Sequence, residues 1–116
     1  MGKSDIEKIE EIIKTRKKAH SWYSGKSEVY RSFVDMERKT FVDGKLSKLQ
    51  KEHIAIGISV IINCESCMEW HIKQALEGGA TGDEIIESIE VGIEMGGGPA
   101  TASARFAMNV LEYYGR

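Results

Sequence analysis

Apolar residues recur at helical spacing along almost the whole chain, and no segment shows the convincing alternation of a β-strand. Near the start, Ile6, Ile9 and Ile13 form one such stripe, and Ser4 and Glu7 before it have the spacing of a capping box. The pattern predicts an all-α protein with six helices. They cover approximately residues 5–20, 27–42, 47–62, 63–78, 81–96 and 99–114.

Helix boundaries are marked by capping residues and glycines. Ser47 and Gln50 have capping-box spacing at the start of the third helix, and Thr81 and Glu84 have it at the start of the fifth. Gly44 is expected to end the second helix, because a helix commonly stops at a glycine.

Two segments are apolar on more than one side. Residues 54–62 of the third helix are apolar all round, which predicts a buried helix, although their β-branched content would also fit a strand. The last helix, over residues 99–114, has two apolar faces and only Arg105 and Glu112 as charges. A helix of this kind needs packing partners on both sides, so we expect the chain to form a homo-oligomer.

The size and composition suit one domain over residues 1–116. Pro99 is the only proline, so no helix is expected to be interrupted. The longest apolar run, residues 54–62, is too short to span a bilayer. The first ten residues are charged and lack the apolar core of a signal peptide. We therefore expect no membrane partner and a cytoplasmic location.

The charge is unevenly distributed. The formal net charge is -2, but residues 1–51 carry 13 Lys/Arg against 8 Asp/Glu, and residues 52–116 carry 3 against 10. The resulting +5 and -7 predict complementary surfaces that meet within the fold or between subunits. The only dense basic run, residues 16–18, is short, so we expect no nucleic-acid partner.

The candidate chemistry lies at the start of the fourth helix. Cys64 and Cys67 are the only cysteines, and on a helix they share one face with His71. Cys64 is near the helix N-terminus, where the helix dipole and free N–H groups favour a thiolate. An imidazole one turn beyond Cys67 can take the thiol proton. Glu52, a carboxylate that leads into the apolar third helix, needs a partner or a raised pKa there if it is buried. Alternatively, it is a solvated residue of the first helical turn.

The cysteine pair has two other interpretations. Two cysteines can be structural residues of a helical core. Alternatively, zinc could bind Cys64, Cys67 and His71, with a fourth ligand from Glu52, His53 or His20. No second CxxC or HxxxH completes a zinc set, so we predict no bound metal. Glu65 and Glu69 add negative charge near the cysteines but on another face of the helix.

The stretch from Glu52 to His71 resembles the alkylhydroperoxidase D-like branch of the carboxymuconolactone decarboxylase family. That branch has a glutamate, a CxxC pair and a histidine four residues after the second cysteine, as in Glu52, Cys64, Cys67 and His71. The resemblance covers roughly residues 28–114. Further similar positions are Ala75, Gly79-Ala80-Thr81, Glu84-Ile85 and Gly96-Gly97-Gly98-Pro99.

The resemblance implies a six-helix fold that assembles into trimers or hexamers and reduces peroxides or disulfides. It implies that Cys67 attacks the peroxide and that Cys64 resolves the sulfenic acid to a disulfide. His71 and Glu52 would form the proton relay, with electrons from an external thiol donor and no cofactor. Better-known members have a histidine where this chain has Ser66, which leaves room for disulfide reductase activity.

Two further functions stay open. The chain could be a zinc-binding or structural helical oligomer without redox activity. It could also act on a lactone, as the decarboxylases of the family do, although that side of the family lacks the cysteine pair.

Overall fold

A computed structural model of the chain describes residues 1–115 and has six α-helices, with no β-strand in that range. The all-α prediction is confirmed. The helices are α1 (Lys3–Ser24), α2 (Glu28–Thr40), α3 (Lys48–Ile61), α4 (Glu65–Glu77), α5 (Gly82–Gly96) and α6 (Gly98–Gly115). None of these helices is long and apolar enough to cross a membrane.

The predicted capping boxes form at two of three places. Ser47 with Gln50 and Thr81 with Glu84 exchange both hydrogen bonds of the motif, at the starts of α3 and α5. The box predicted at Ser4 is wrong, because α1 begins earlier and its N-cap is Gly2, which offers no side-chain cap. Ser4 therefore lies inside the first turn, where its hydroxyl cannot cap the helix.

The second helix is shorter than predicted. Its N-cap Ser27 accepts a hydrogen bond from the backbone N–H of Tyr30, as expected for a serine at this position. The helix ends at Thr40, and Phe41 leaves the helical conformation. The chain therefore leaves the second helix before Gly44. Phe41 is not part of that helix, and its ring lies against His71 of the fourth helix.

Helices α3 to α6 pack together, and α1 lies against α4 and α6. The core consists of Ile9, Ile56, Val60, Met68, Ile72, Ala75, Ala80, Ile85, Ile89, Ala100, Phe106, Ala107 and Val110. Within the described residues, α2 packs against α1 alone and buries none of its side chains. The bundle is therefore formed without α2, which lies at its edge.

Helices α3 and α5 approach closely at two glycines. A Cβ atom built on Gly92 would lie 2.6 Å from the backbone oxygen of Gly57, which is closer than a carbon can approach. A Cβ on Gly57 would lie 3.1 Å from the backbone oxygen of Ser88. The absence of side chains at these positions is what allows the two backbones to meet.

The apolar surface is not where the sequence predicted it. Helix α3 is not buried on all sides: Ile54, Ile58 and Ile61 are exposed and line one groove with Val91 and Met95 of α5. Conversely, α6 contacts α1, α3, α4 and α5, and both of its apolar stripes are at least partly covered. Because α6 lies among four helices of its own chain, it does not supply the unpartnered face.

The oppositely charged halves of the chain meet within the fold. Lys8 of α1 forms an ion pair with Glu65 of α4 at 2.8 Å, and Arg16 of α1 pairs with Glu69 of α4. The complementary charges predicted from the sequence therefore form ion pairs between α1 and α4 within one chain.

Candidate active site

Helices α3 and α4 form a hairpin around Asn63, which brings the predicted site residues together. Asn63 has a φ of 53°, a left-handed conformation that asparagine tolerates better than most residues. The turn lets α4 fold back along α3, so that Glu52 and His71, on opposite sides of it, face each other. The Nδ1 atom of His71 lies 2.7 Å from Oε1 of Glu52.

Glu52 is a buried carboxylate with a complete set of partners. Its side chain is only 2% exposed, and Oε2 accepts a hydrogen bond from Nζ of Lys48 at 2.9 Å. The same ammonium group lies 3.4 Å from Oε1 of Gln74 on α4. A carboxylate removed from water is tolerated when its oxygens are paired in this way.

The contact with Glu52 favours one tautomer of the His71 ring. An ionised carboxylate can only accept hydrogen bonds, so beside the ionised form of Glu52 the hydrogen of a neutral ring lies on Nδ1 and Nε2 keeps its lone pair. The ring is 12% exposed and packs against Phe41, with 5.0 Å between ring centroids. His71 is thus oriented from both sides and can act as a base through Nε2.

Cys64 is the N-cap of α4, which begins at Glu65, two residues after the predicted start near Asn63. Its Sγ atom accepts a hydrogen bond from the backbone N–H of Cys67 at 3.2 Å, and the two sulfurs are joined in a disulfide. After reduction, a thiolate on Cys64 would meet the same N–H group and the positive end of the helix dipole. Cys67 lies one helical turn before His71, on the same face.

The two glutamates beside the cysteines each form an ion pair with a basic side chain of α1. Glu65 pairs with Lys8, while Glu69 is fully buried and contacts Arg16 and the hydroxyl of Tyr114. Burial and the hydrogen bond to Glu69 raise the pKa of Tyr114 well above its usual range. The sequence predicted that these carboxylates lie on a different helix face from the cysteines. In the structure, each carboxylate has a cationic partner on α1.

Sequence reasoning missed Lys48, Gln74 and Phe41 as neighbours of the site. Lys48 could have been found, because it precedes Glu52 by four residues on a helix, the spacing of an ion pair. Gln74 and Phe41 gave no signal, since their proximity depends on how α4 and the segment after α2 fold onto α3.

The additional metal ligands considered for zinc have other partners. Nδ1 of His53 lies 2.6 Å from Oγ of Ser88, and Nδ1 of His20 lies 2.9 Å from the hydroxyl of Tyr30. Among residues 1–115, no group of three or more His, Cys, Asp or Glu side chains is arranged to hold a metal ion.

The fold and the site together define an all-helical protein with a CxxC pair at a helix start and a buried glutamate–histidine pair one turn away. The chain belongs to the carboxymuconolactone decarboxylase family, whose sequence pattern matches residues 27–109. The six-helix fold fits the alkylhydroperoxidase D-like branch of that family. The resemblance inferred from the sequence is thereby confirmed.

Two curated relatives have no assigned function. An uncharacterised protein of the cox locus of Paracoccus denitrificans is 38% identical over 81 residues, which are 70% of this chain and 73% of the relative. An uncharacterised protein of Cupriavidus necator is 39% identical over 83 residues, 72% of this chain and 71% of the relative.

Solved structures share the whole fold. A carboxymuconolactone decarboxylase family protein from Legionella pneumophila has a TM-score of 0.78 at 27% identity, covering 93% of this chain and 95% of its own. A family member from Thermotoga maritima, described with a possible involvement in the antioxidative response, has a TM-score of 0.81 at 22% identity. That match covers 88% of this chain and 87% of the other, and at this identity it supports the fold alone.

Proposed function

We propose that this protein is a thiol-dependent oxidoreductase that reduces peroxides or disulfides through Cys64 and Cys67. The observation that carries the proposal is the Glu52–His71 pair, which holds an imidazole on the face of α4 that also bears the two cysteines. A structural disulfide would need neither the buried carboxylate nor the oriented imidazole.

In the proposed peroxidase reaction, Nε2 of His71 takes the proton of the Cys67 thiol. The thiolate attacks one peroxide oxygen and the O–O bond breaks, which gives a sulfenic acid on Cys67 and an alkoxide or hydroxide. That leaving oxygen receives the proton held by His71. The Cys64 thiol then condenses with the sulfenic acid, which releases water and forms the disulfide.

The cycle closes when an external dithiol, or two monothiols, reduce the Cys64–Cys67 disulfide and become a disulfide themselves. A disulfide substrate would be reduced by the same pair without the sulfenic acid stage. Because Ser66 replaces the histidine of better-known relatives, disulfide reduction stays a second branch of the proposal. A lactone decarboxylase has no use for the cysteine pair, which favours redox chemistry over that alternative.

The proposal is tested with purified protein reduced by excess dithiol and then freed of reductant. One equivalent of hydrogen peroxide or of an organic hydroperoxide should convert it to the disulfide form, which intact-mass spectrometry detects as the loss of two hydrogen atoms. A matched preparation with both cysteines replaced by serine controls for oxidation elsewhere, for example at methionine. Oxidation no faster than that of free cysteine, with either peroxide and with a model disulfide, would reject the proposal.

We also propose that the protein works as a homo-oligomer, a trimer or a hexamer. The exposed apolar surface on α3 and α5, which contains Ile54, Ile58, Ile61, Val91 and Met95, lines a groove of about 440 Å³. We call this surface the α3–α5 face. Monomeric proteins rarely expose a contiguous apolar surface of this kind. We propose that a second copy of the chain covers the α3–α5 face. The family resemblance favours threefold assembly.

The cytoplasmic location stays a prediction. It is consistent with a site that needs an external thiol to reduce its disulfide, since thiol donors keep that compartment reducing.

A further inference from the structure

The carboxylate of Glu52 is held by a cation as well as by His71. Its two oxygens have different partners: Oε1 lies 2.7 Å from Nδ1 of His71, and Oε2 lies 2.9 Å from Nζ of Lys48. Gln74 of α4 contacts the same ammonium group at 3.4 Å. Lys48, Glu52 and His71 therefore form a chain of three groups, with the lysine at the end away from the imidazole.

Lys48 and Glu52 differ from an ordinary ion pair on a helix surface. Pairs at this spacing contribute little when both partners are in water. Here the Lys48 side chain is 44% exposed, but Glu52 is only 2% exposed. A carboxylate removed from water takes up a proton or moves toward solvent unless a positive charge compensates it. Lys48 is the permanent positive charge in contact with Glu52.

We propose that Lys48 is a positioning residue of the site, which keeps Glu52 ionised and directed at Nδ1 of His71. The consequence is that the hydrogen stays on Nδ1 and that Nε2 is free to accept a proton. Lys48 touches neither the cysteines nor the substrate in this scheme. The proposal rests on the proposed function only for the identity of that proton, which is the thiol proton of Cys67.

Few other groups compete with Lys48 for this role. From the segment between α2 and α3, Phe41 contributes an uncharged ring to His71, and the carboxylate of Asp43 accepts the backbone N–H of Lys48 at 2.7 Å. From α4, Gln74 is neutral, and Cys67 lies one turn before His71. On the side of α3 that faces α5, His53 is hydrogen-bonded to Ser88. Among residues 1–115, no charged side chain of α6 forms a hydrogen bond or ion pair with the cluster.

The test compares Lys48→Met, which keeps the aliphatic stem and removes the charge, with Lys48→Arg, which keeps the charge. Lys73→Met is the matched control, because Lys73 pairs with Glu77 at the same helical spacing, 3.9 Å apart, and lies two positions after His71 on another face of α4. Lys48→Gln is a second neutral variant in case the methionine variant folds poorly. NMR of the His71 ring is recorded over a pH series on each oxidised protein, and the pH–rate profile of peroxide attack on each reduced one.

Without Lys48, the buried Glu52 should take up a proton or turn toward solvent, and in either case His71 loses its ionised partner. We therefore expect the midpoint of the His71 titration in Lys48→Met to move to lower pH, and to return toward the wild-type value in Lys48→Arg. A displacement of one pH unit corresponds to a base about tenfold weaker, so the plateau of the pH–rate profile should also fall. A move to higher pH would show that Glu52 stays ionised without Lys48 and would contradict the proposal. The Lys73→Met variant should titrate as the wild type does.

A His71 titration in both neutral Lys48 variants that matches Lys73→Met would overturn the proposal and leave Lys48 as a structural ion pair. The NMR measurement needs no activity. If the wild-type protein reduces neither peroxide nor disulfide but the titration still responds to Lys48, the proposed function fails and the role of Lys48 in positioning Glu52 stands.

Discussion

Nδ1 of His71 lies 2.7 Å from Oε1 of Glu52, although 19 positions separate the two residues in the chain. Glu52 is buried on α3 and His71 is partly covered on α4, so the pair exists only because the two helices fold against each other. This geometry leaves one imidazole nitrogen for chemistry and predicts how the site responds to substitution.

Substitution of Glu52 by Gln should slow peroxide attack by about a hundredfold, the usual contribution of general acid–base help. Glutamine keeps the shape but not the charge that holds the His71 hydrogen on Nδ1. His71→Ala should have an effect of the same size, and the double variant should be little slower than either single one. The rates are measured by stopped-flow over a pH series. An unchanged profile in Glu52→Gln would make this residue a structural carboxylate.

The cysteines should have separate roles. In Cys64→Ser, peroxide should produce a sulfenic acid on Cys67, because no second thiol is present to resolve it. A nucleophile specific for sulfenic acids, followed by peptide mass spectrometry, identifies the modified residue. The matched variant Cys67→Ser should not accumulate this species on Cys64. The reverse result would exchange the two roles.

Gly92→Ala should destabilise the protein, because its Cβ would collide with the backbone of Gly57. We expect a loss of about 1–3 kcal/mol in the free energy of unfolding, as for other overpacked sites. Gly82→Ala in the same helix is the control, since a Cβ there meets no atom within 4 Å. Urea unfolding compares the two. Equal stability of both variants would show that α3 and α5 can separate without cost.

The α3–α5 face should hold the oligomer together. Light scattering at micromolar concentration should give three or six times the chain mass of 13.0 kDa. A glutamate at Val91 or Met95, which are 64% and 72% exposed, should reduce that mass, because a charge would be buried at the contact. Met108→Glu on α6 is the control. A wild-type mass of 13.0 kDa would rule out assembly, and dissociation by the control alone would assign the contact elsewhere.

The partly buried hydroxyl of Tyr114 predicts a loss of stability in alkali. Its pKa is raised in the folded protein by burial and by the hydrogen bond to Glu69. Above about pH 10 an unfolded tyrosine loses its proton while the folded one keeps it, so the free energy of unfolding falls as the pH rises. Tyr114→Phe should be less stable at neutral pH but should lose less in alkali. Tyr23→Phe, which removes an exposed hydroxyl on α1, is the control, and the same alkaline loss in both variants would contradict the prediction.

The sequence alone determined the six helices and the common face of the two cysteines and His71. Capping residues such as Ser47 and Thr81 act through hydrogen bonds to the next turn, so their effect is local and can be predicted from neighbouring residues. The spacing of Cys64, Cys67 and His71 likewise fixes a shared face once the segment is helical. The same local reasoning failed at Ser4, where the helix simply began two residues earlier.

Only the tertiary structure decided which groups meet between helices. The partners Phe41 and Gln74, the burial of Glu69 against Arg16 and Tyr114, and the exposure of α3 depend on helix packing. An apolar pattern shows that a face seeks a partner, but it does not say whether that partner belongs to the same chain. Helix α6 has its packing partners within the chain, whereas the α3–α5 face is exposed, because no other helix of residues 1–115 packs over it.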